Sequence, residues 1–388
     1  MAGQLDDVVI VEAIRTPIGR RNGSLKDVRA DELMAQTLTA LIQRTGIAAS
    51  IVDDVILGCV VQTGEQGANV ARLAVLEAGF PVEVPAVSLD RMCSSGQQAV
   101  HFAAQAIASG QADVVIAGGV ETMTRVPIAS DYPATWSPML TSRSDIEVST
   151  NQGVSADLIA EKWGLTRQEL DQFSYESHLK AGAAREAGRF AGQIVPVEVH
   201  GADGAPVSFT QDEGIRVPPS LERMAALAPA FGEGGTATAG NASQISDGAA
   251  ALLLMSRQKA AELGLRPRAR LRATSVVGSD PLLMLTGPIP ATHKVLKRAG
   301  MALSDVDVVE INEAFASVVL AWARELEPDM DRVNPNGGAI ALGHPLGATG
   351  AILLTKLLYE LERTDKAVGL QTMCVGFGQA TATILERE

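Results

Sequence analysis

Two thiols, an imidazole and an amide stand where predicted strands end or glycine-rich turns begin. Cys93, in LDRMCSSGQQAVHF, lies between a predicted strand and the first turn of a predicted helix. Exposed N–H groups and the dipole at a helix start favour a thiolate and lower the pKa of a thiol. His344 lies in NPNGGAIALGHPLGATG at 334–350, and an imidazole titrates close to neutral pH. Asn312 ends the predicted strand DVVEIN, and Cys374 follows the predicted strand AVGLQTM. These residue types would allow a thiol nucleophile with a histidine base.

Each of these residues also has a structural interpretation. A single cysteine is most often a small buried hydrophobe, and Asn312 could be the N-cap of the helix EAFASVVLAWA. The glycine-rich stretch could be a flexible surface loop that carries a buffering histidine. We interpret Cys59, inside the apolar run DVILGCVVQ, as structural. The other histidines are interpreted as ordinary packed or exposed side chains: His101, His178, His200 and His293.

The composition predicts two or three packed units with an aliphatic core. Of the 388 residues, 46% are hydrophobic and only 4% are aromatic, so the core must consist of Ala, Val, Leu and Ile. Such a core suits helices packed on parallel strands. The net charge of −13 argues against a nucleic-acid or anionic-membrane partner, because no global positive field attracts phosphate.

Cysteine usage and hydropathy indicate a cytoplasmic protein. The three cysteines are too few and too scattered for a disulfide framework, and none forms a CxxC pair that would bind zinc. No apolar run approaches the ~20 residues that cross a bilayer. The N-terminal MAGQLDDVVIVEAIRTP has no apolar signal-peptide segment. We therefore expect a soluble protein in a reducing compartment, without a metal ion.

Strands and helices alternate through two parts of the chain, with an irregular excursion between them. The first part ends with the strand DVVIA, which we expect Gly118 and Gly119 to stop. Prolines, hydroxyls and charges then interrupt the pattern until Ser243, although helices are predicted at Ser155–Trp163 and Arg167–Ala187. The α/β pattern resumes at Asp247.

The two regular parts resemble each other. ALIQRTGIAASIVDDVILGCV matches KVLKRAGMALSDVDVVEINEA, and the interval between Gly46 and Gly300 equals that between Gly96 and Gly350. We predict a duplicated α/β/α layered fold with an inserted loop domain. The expected units are residues 1–119 plus 245–267, the insert 120–244, and residues 268–388. Functional loops follow the carboxyl ends of parallel strands, so both halves should meet at one site.

Five sequence blocks resemble the thiolases in order and context. They are CSSG at 93–96, GNASQISDGAAA at 240–251, NEAFA at 312–316, NGGAIALGHPLGATG at 336–350 and CVG at 374–376. The resemblance covers essentially the whole chain. It implies the duplicated fold and an acetyl-CoA C-acyltransferase, which interconverts 3-ketoacyl-CoA plus CoA with acyl-CoA plus acetyl-CoA.

The resemblance implies a role for each candidate catalytic residue. Cys93 would carry the acyl group, His344 would accept its proton, and Cys374 would be the second acid/base. His344 and a water bound to Asn312 would hold the enolate oxygen. The backbone N–H groups of Cys93 and Gly376 would hold the tetrahedral oxyanion, and a side chain at 376 would crowd that donor. Glu313 would anchor the loop that carries Asn312.

The resemblance also implies that CoA and acyl-CoA are substrates, with no metal or tightly bound cofactor. CoA would lie over the excursion, with Arg216 near the nucleotide and Ser243 on the pantetheine. Five further residues would line the tunnel: Phe231, Ala239, Met284, Ala314 and Phe315. A homodimer or a dimer of dimers is implied.

Several positions depart from the common thiolase pattern. Phe377 stands in CVGFGQA where glycine is usual, and Gln97 where an apolar residue is usual. Asn151-Gln152 replaces the His-Met pair of acetoacetyl-specific enzymes, and the 125–151 segment is short. These features resemble actinobacterial degradative thiolases that act on lipid or steroid side chains. The alternatives are an acetoacetyl-CoA-specific acetyltransferase, a decarboxylating ketoacyl synthase and a silent acyl-CoA-binding subunit.

Overall fold

The computed structural model describes residues 7–143, 147–201 and 204–388. The strands are β1 Val8–Arg15, β2 Gly19–Arg20, β3 Asp54–Gly58, β4 Ala86–Leu89, β5 Val114–Thr122, β6 Val197–His200, β7 Pro206–Phe209, β8 Ser246–Ser256, β9 Ala269–Gly278, β10 Val308–Ile311, β11 Val368–Val375 and β12 Gln379–Arg387. The helices are α1 Ala30–Thr45, α2 Val70–Glu77, α3 Ser95–Ala108, α4 Pro138–Thr141, α5 Gln152–Lys162, α6 Arg167–Glu186, α7 Leu221–Ala225, α8 Arg257–Glu262, α9 Pro288–Ala299, α10 Ala316–Leu326, α11 Ala339–Leu342 and α12 Leu346–Arg363. Within these ranges no helix is long and apolar enough to cross a membrane.

The main sheet has two halves of matching topology. Its strand order is β10-β11-β12-β9-β1-β8-β5-β3-β4, with β2 paired to β8. At the centre, β1 and β9 pair antiparallel through only Val9–Arg270 and Ile10–Ala269. Outward from this junction, β1-β8-β5-β3 corresponds to β9-β12-β11-β10, and each half ends in a parallel pair. Asp54 and Val308, which begin β3 and β10, lie the same interval apart as Gly46 and Gly300. The predicted duplication is confirmed.

Helices pack in three layers around the sheet. One apolar cluster joins α1 and α2 to the outer face of the first half, and another joins α9 and α10 to the outer face of the second. Between them, α3 and α12 share a cluster with strands of both halves, including Ile10, Leu252 and Leu385. Alternate residues of β1 and β8 enter different clusters because successive side chains of a strand point to opposite faces. The layered α/β fold class is confirmed.

Glycines allow the two central helices to approach each other at their N-terminal ends. A Cβ atom on Gly96 would lie 2.7 Å from the carbonyl oxygen of Gly347. A Cβ atom on Gly350 would collide with the backbone nitrogen of Gln97. Larger residues would therefore force α3 and α12 apart. This contact brings the segments that carry Cys93 and His344 together.

The expected stop at Gly118-Gly119 is wrong. β5 continues through both glycines to Thr122 and pairs with β8 along this length. Glycine is required here by close approach, since a Cβ on Gly118 would collide with the carbonyl of Ala250. The predicted unit boundary at residue 119 thus falls inside a strand.

The excursion is joined to the framework by a buried ion pair. Nη1 of Arg15 lies 2.7 Å from Oδ1 of Asp212, and Nη2 lies 2.9 Å from Oδ2. The excursion contains α4 to α7 and the hairpin β6–β7. Its helices α5 and α6 match the predicted ones, and Thr166 caps α6. The short 125–151 segment is described only in part, because residues 144–146 lie outside the described ranges.

Candidate active site

Cys93 is buried at the start of α3 as a neutral thiol. Its exposed fraction is 1%. Its own backbone N–H, that of Gly376 and the Gln152 amide donate towards the sulfur. Burial nevertheless raises the pKa of the thiol to about 11. The lowered pKa expected from the helix start is therefore wrong for the ligand-free site, because desolvation outweighs these donors. A thiol in this state needs a base before it can act as a nucleophile.

His344 is held in the tautomer that a base requires. Its Nδ1 atom lies 2.6 Å from the hydroxyl oxygen of Thr349. That hydroxyl donates a hydrogen bond to the carbonyl oxygen of Pro345 at 2.8 Å. The hydroxyl can then only accept from Nδ1–H, which leaves the lone pair on Nε2. Burial lowers the pKa of His344 to about 4. At neutral pH the imidazole is thus uncharged and able to take a proton.

Asn312 lies between His344 and Cys374. Its Nδ2 atom is 3.3 Å from Nε2 of His344, and its amide also hydrogen-bonds the Cys374 thiol. The N-cap interpretation of Asn312 is wrong, because α10 begins at Ala316 after its N-cap Phe315. Burial and the nearby Cys93 raise the pKa of Cys374, so this second thiol is also protonated at neutral pH.

Glu313 fixes the loop that carries Asn312. The carboxylate accepts hydrogen bonds from Asn334 Nδ2 at 2.9 Å, Ser177 Oγ at 2.7 Å and the Ile340 backbone N–H at 3.2 Å. It therefore ties the end of β10 to α6 and to the glycine-rich stretch. This is the anchoring contact that the resemblance implied.

The stretch 334–350 is buried almost throughout and is not a flexible surface loop. Gly347 and Gly350 form no turn, because they lie in α12 at the contact with the first half. Gly343 is a sharp turn, with φ of 112°, directly before the histidine. A Cβ on Gly376 would make ordinary contacts with Met92 and Gln152, and the crowding of an oxyanion by a side chain at this position stays a prediction.

A cavity of about 510 Å³ opens beside these residues. Its lining includes His344 and Gln152 together with three of the predicted CoA-site residues, Phe231, Ser243 and Phe315. Two others, Met284 and Ala314, are buried in a cluster with Phe315 and Cys374. The structure thus brings most of the predicted tunnel residues to the catalytic centre.

The remaining two predicted CoA-site residues lie further out. Arg216 lines a second cavity of about 550 Å³ with His178, Pro218 and Arg223. Ala239 is exposed beside Gly240, which lines that cavity. The positive charge of Arg223 was missed from the sequence, because no pattern places it opposite Arg216. In the part of the chain that the structure describes, no cluster of three His, Cys, Asp or Glu could hold a metal ion.

Sequence reasoning also missed an aromatic cluster, of which Tyr132 lines the 510 Å³ cavity. The ring of Phe377 lies 5.9 Å from that of Tyr132 and 5.6 Å from that of Trp136. Phe377 has a left-handed backbone, with φ of 60°, which costs a non-glycine residue about 1 kcal/mol. The ring contacts hold it there. The presence of three aromatic residues in an aromatic-poor chain was the available signal.

Fold and site define an acyltransferase of the thiolase family, to which this chain belongs. The sequence matches the family Thiolase, N-terminal domain, over residues 8–258 and Thiolase, C-terminal domain, over residues 265–387. It is 49% identical over 394 residues to a steroid 3-ketoacyl-CoA thiolase of Mycobacterium tuberculosis, covering 99% of this chain and 95% of that protein. It is 46% identical over 389 residues to a 3-ketoacyl-CoA thiolase of Klebsiella pneumoniae, covering 99% and 100%. The crystal structure of the Bacillus anthracis acetyl-CoA acetyltransferase superposes with a TM-score of 0.91 at 40% identity, covering 98% of this chain and 99% of that one.

Proposed function

We propose that the protein cleaves 3-ketoacyl-CoA with CoA to give acetyl-CoA and an acyl-CoA shortened by two carbons. The observation that carries this function is the amide of Asn312 between His344 and Cys374, and the identity to 3-ketoacyl-CoA thiolases supports the degradative direction. Cys374 holds its proton because burial raises its pKa, and neutral His344 can accept one. Thiolysis begins from this state, since the nucleophile must lose a proton and the leaving carbanion must gain one.

In the first half of the reaction, Nε2 of His344 takes the Cys93 proton and the sulfur attacks C3 of the substrate. The backbone N–H groups of Cys93 and Gly376, which donate towards the sulfur at rest, hold the oxyanion. The C2–C3 bond then breaks, and its electron pair becomes the enolate of acetyl-CoA. Cys374 protonates C2, and the acyl group stays on Cys93 as a thioester.

In the second half, CoA replaces acetyl-CoA and gives its thiol proton to the Cys374 thiolate. The CoA sulfur attacks the thioester carbonyl, the bond to Cys93 breaks, and the imidazolium of His344 returns the proton to the Cys93 sulfur. All atoms and protons balance over the two halves. Asn312 would help to stabilise the enolate. Its Oδ1 atom is buried without a hydrogen-bond partner in the described residues, and it could accept a hydrogen bond from a water beside the enolate oxygen.

CoA would extend from the cavity lined by Arg216, here called the outer cavity, to the cavity lined by His344, here called the inner cavity. Arg216 and Arg223 supply positive charge for its phosphates in the outer cavity, while Phe231, Ser243 and Phe315 line the path inward. The net charge of −13 makes such a local basic site necessary for an anionic substrate. Met284, Ala314 and Ala239 would complete the tunnel.

The acyl group is proposed to be larger than acetyl, such as a fatty or steroid side chain. The inner cavity extends past Gln152 to Met123, Ile128 and Tyr132, which offer an apolar wall. The 49% identity to a steroid thiolase supports this class of substrate. Degradation in the cytoplasm is the proposed setting.

The division into units 1–119 plus 245–267, 120–244 and 268–388 remains a proposal, as does assembly into a homodimer or a dimer of dimers. β4 lies at the end of the sheet order, with Val87 partly exposed on it. An open strand edge beside apolar surface supports pairing with a second copy. Sedimentation analysis should give twice or four times the mass of one chain, whereas a monomer would contradict this assembly.

The function is tested by assaying thiolysis of 3-ketoacyl-CoAs of increasing chain length, with the Cys93→Ala variant as control. We expect turnover that needs CoA, an acyl adduct on Cys93 by mass spectrometry, and no turnover by the variant. Undiminished activity of Cys93→Ala would overturn the mechanism. Activity that required a malonyl thioester would identify a ketoacyl synthase, and acyl-CoA binding without turnover would identify a silent subunit.

A further inference from the structure

The amide of Gln152 lies beside the sulfur of Cys93. Its Nε2 atom is 4.0 Å from Sγ, at the outer limit of an N–H···S hydrogen bond. The same atom lies over Gly376, where a Cβ would be 3.5 Å from it. The amide therefore sits between the nucleophile and the turn that donates the Gly376 N–H.

The backbone of Gln152 is fixed by its neighbours. Gln152 is the first residue of α5, and the side chain of Asn151 caps this helix by accepting from the Gly153 N–H at 3.0 Å. Two residues before Asn151, the backbone N–H of Ser149 donates to the carbonyl oxygen of Pro281 at 3.2 Å. Gly153 packs so closely on Phe231 that no Cβ would fit. The start of α5 therefore presents the amide to the sulfur from a rigid position.

The side chain of Gln152 lines the inner cavity. Its Nε2 atom lies beside the buried thiol of Cys93. The groups that favour the Cys93 thiolate are all N–H donors, Gln152 and two backbone amides.

Given the thiolysis proposed above, we propose that Gln152 is a further catalytic residue, whose amide N–H hydrogen-bonds the Cys93 sulfur and stabilises the thiolate. When His344 takes the Cys93 proton, the negative sulfur attracts the amide and the 4.0 Å contact shortens. A hydrogen bond to a charged group is stronger than one to a neutral group. The donor then holds the thiolate in place until it attacks C3.

The test measures Cys93 reactivity without substrate. Iodoacetamide alkylation of the ligand-free full-length chain is followed against pH, with the modified cysteine identified by peptide mass spectrometry. Replacing the amide by an apolar side chain of similar length, Gln152→Met, should slow Cys93 alkylation about tenfold at pH near 7 and move its midpoint up by about one unit. Rates are compared between pH 7 and 10, below the Cys93 pKa of about 11, where the alkylation rate follows the thiolate fraction.

Two further variants complete the comparison. Gln152→Glu places a carboxylate at the sulfur and should raise the midpoint further, which tests the proposal even if Gln152→Met folds poorly. Gln111→Met, the same substitution at an exposed position after α3, is the control and should match the wild type. Superimposable pH profiles for wild type and both Gln152 variants would overturn the proposal. If the wild type cleaves no 3-ketoacyl-CoA, the proposed function fails instead, and the alkylation result still reports on Gln152.

Discussion

The imidazole of His344 donates from Nδ1 to the hydroxyl of Thr349, at 2.6 Å. Thr349 lies in the first turn of α12, and its hydroxyl donates a hydrogen bond to the carbonyl of Pro345. We therefore expect Thr349 to act through His344 as a positioning residue. We expect Thr349→Val to lower kcat/KM about tenfold, because one hydrogen bond that fixes the tautomer and ring orientation is lost.

Thr349→Ser is the matched control for this prediction, since it keeps the hydroxyl and should keep at least half of the activity. The measurement is steady-state thiolysis together with the pH profile of Cys93 alkylation. A merely structural role would leave that profile unchanged in the Val variant. Equal profiles for Val and Ser would contradict the assignment of Nδ1 as the donor.

Buried histidines should make the protein less stable as the pH falls below about 6.5. Burial lowers the pKa of His101 to about 3 and that of His344 to about 4. Above pH ~6.5 these side chains are neutral in both states and contribute nothing. Below pH ~6.5 these histidines bind protons in the unfolded chain but stay neutral in the folded chain. The free energy of unfolding therefore decreases as the pH falls, until the pKa of the folded state is reached.

His101→Gln tests this acid sensitivity outside the active site. His101 is buried against Thr383 at 2.8 Å, and a glutamine can keep a hydrogen bond to that hydroxyl. Urea unfolding at several pH values between 6.5 and 4.5 should show a shallower loss of stability in this variant. His293→Gln, at an exposed position, should follow the wild type. A slope unchanged by His101→Gln would contradict the prediction.

The buried pair of Lys356 and Glu310 should be essential for stability. Nζ of Lys356 lies 2.8 Å from Oε2 of Glu310 and 2.7 Å from the carbonyl of Gly337. Burial raises the pKa of Glu310 to about 7. Lys356→Met leaves this carboxyl without its partner and should cost about 3–5 kcal/mol of unfolding free energy, measured by urea denaturation. The double variant Lys356→Met with Glu310→Leu should recover much of the loss, because no unpaired charge remains.

Phe377 allows the strain in the turn beside Gly376 to be measured. Phe377→Ala and Phe377→Gly both remove the ring contacts with Tyr132 and Trp136. Only glycine relieves the strain of the left-handed backbone. The free energy of unfolding, measured by urea denaturation, should therefore be about 1 kcal/mol larger for the Gly variant than for the Ala variant. Both should raise KM for large acyl groups more than for acetoacetyl-CoA. An Ala variant as stable as the Gly variant would show that the turn relaxes instead.

Much of the fold was predictable because it depends on patterns that the chain repeats. Gly46 and Gly300 both end helices with left-handed φ values of 70° and 67°, and this local requirement is visible in the sequence. Gly118 was misjudged for the opposite reason. The carbonyl that excludes a side chain there belongs to Ala250, and only the folded sheet brings it close.

The sequence predicted which residue types form the candidate site, but it did not predict their protonation states. The local settings and the resemblance singled out Cys93, His344, Asn312 and Cys374. The structure places Asn312 between His344 and Cys374, and the catalytic roles stay predictions. The pKa of Cys93 was predicted in the wrong direction, because the helix start is a local feature and burial is not. Thr349 was missed although it lies only five residues after His344, because the sequence does not show that its hydroxyl faces Nδ1.

The approach of α3 to α12 through Gly96 and Gly347 has a consequence for symmetry. Cys93 and His344 each stand two residues before the first residue of their helix, Ser95 and Leu346. The interval that relates Gly96 to Gly350 nevertheless places Cys93 opposite Gly347 and His344 opposite Asp90. Neither half therefore keeps both a thiol and an imidazole at these positions. Joining the halves in one chain supplies the two groups in a one-to-one ratio, which separate half-length chains would not guarantee.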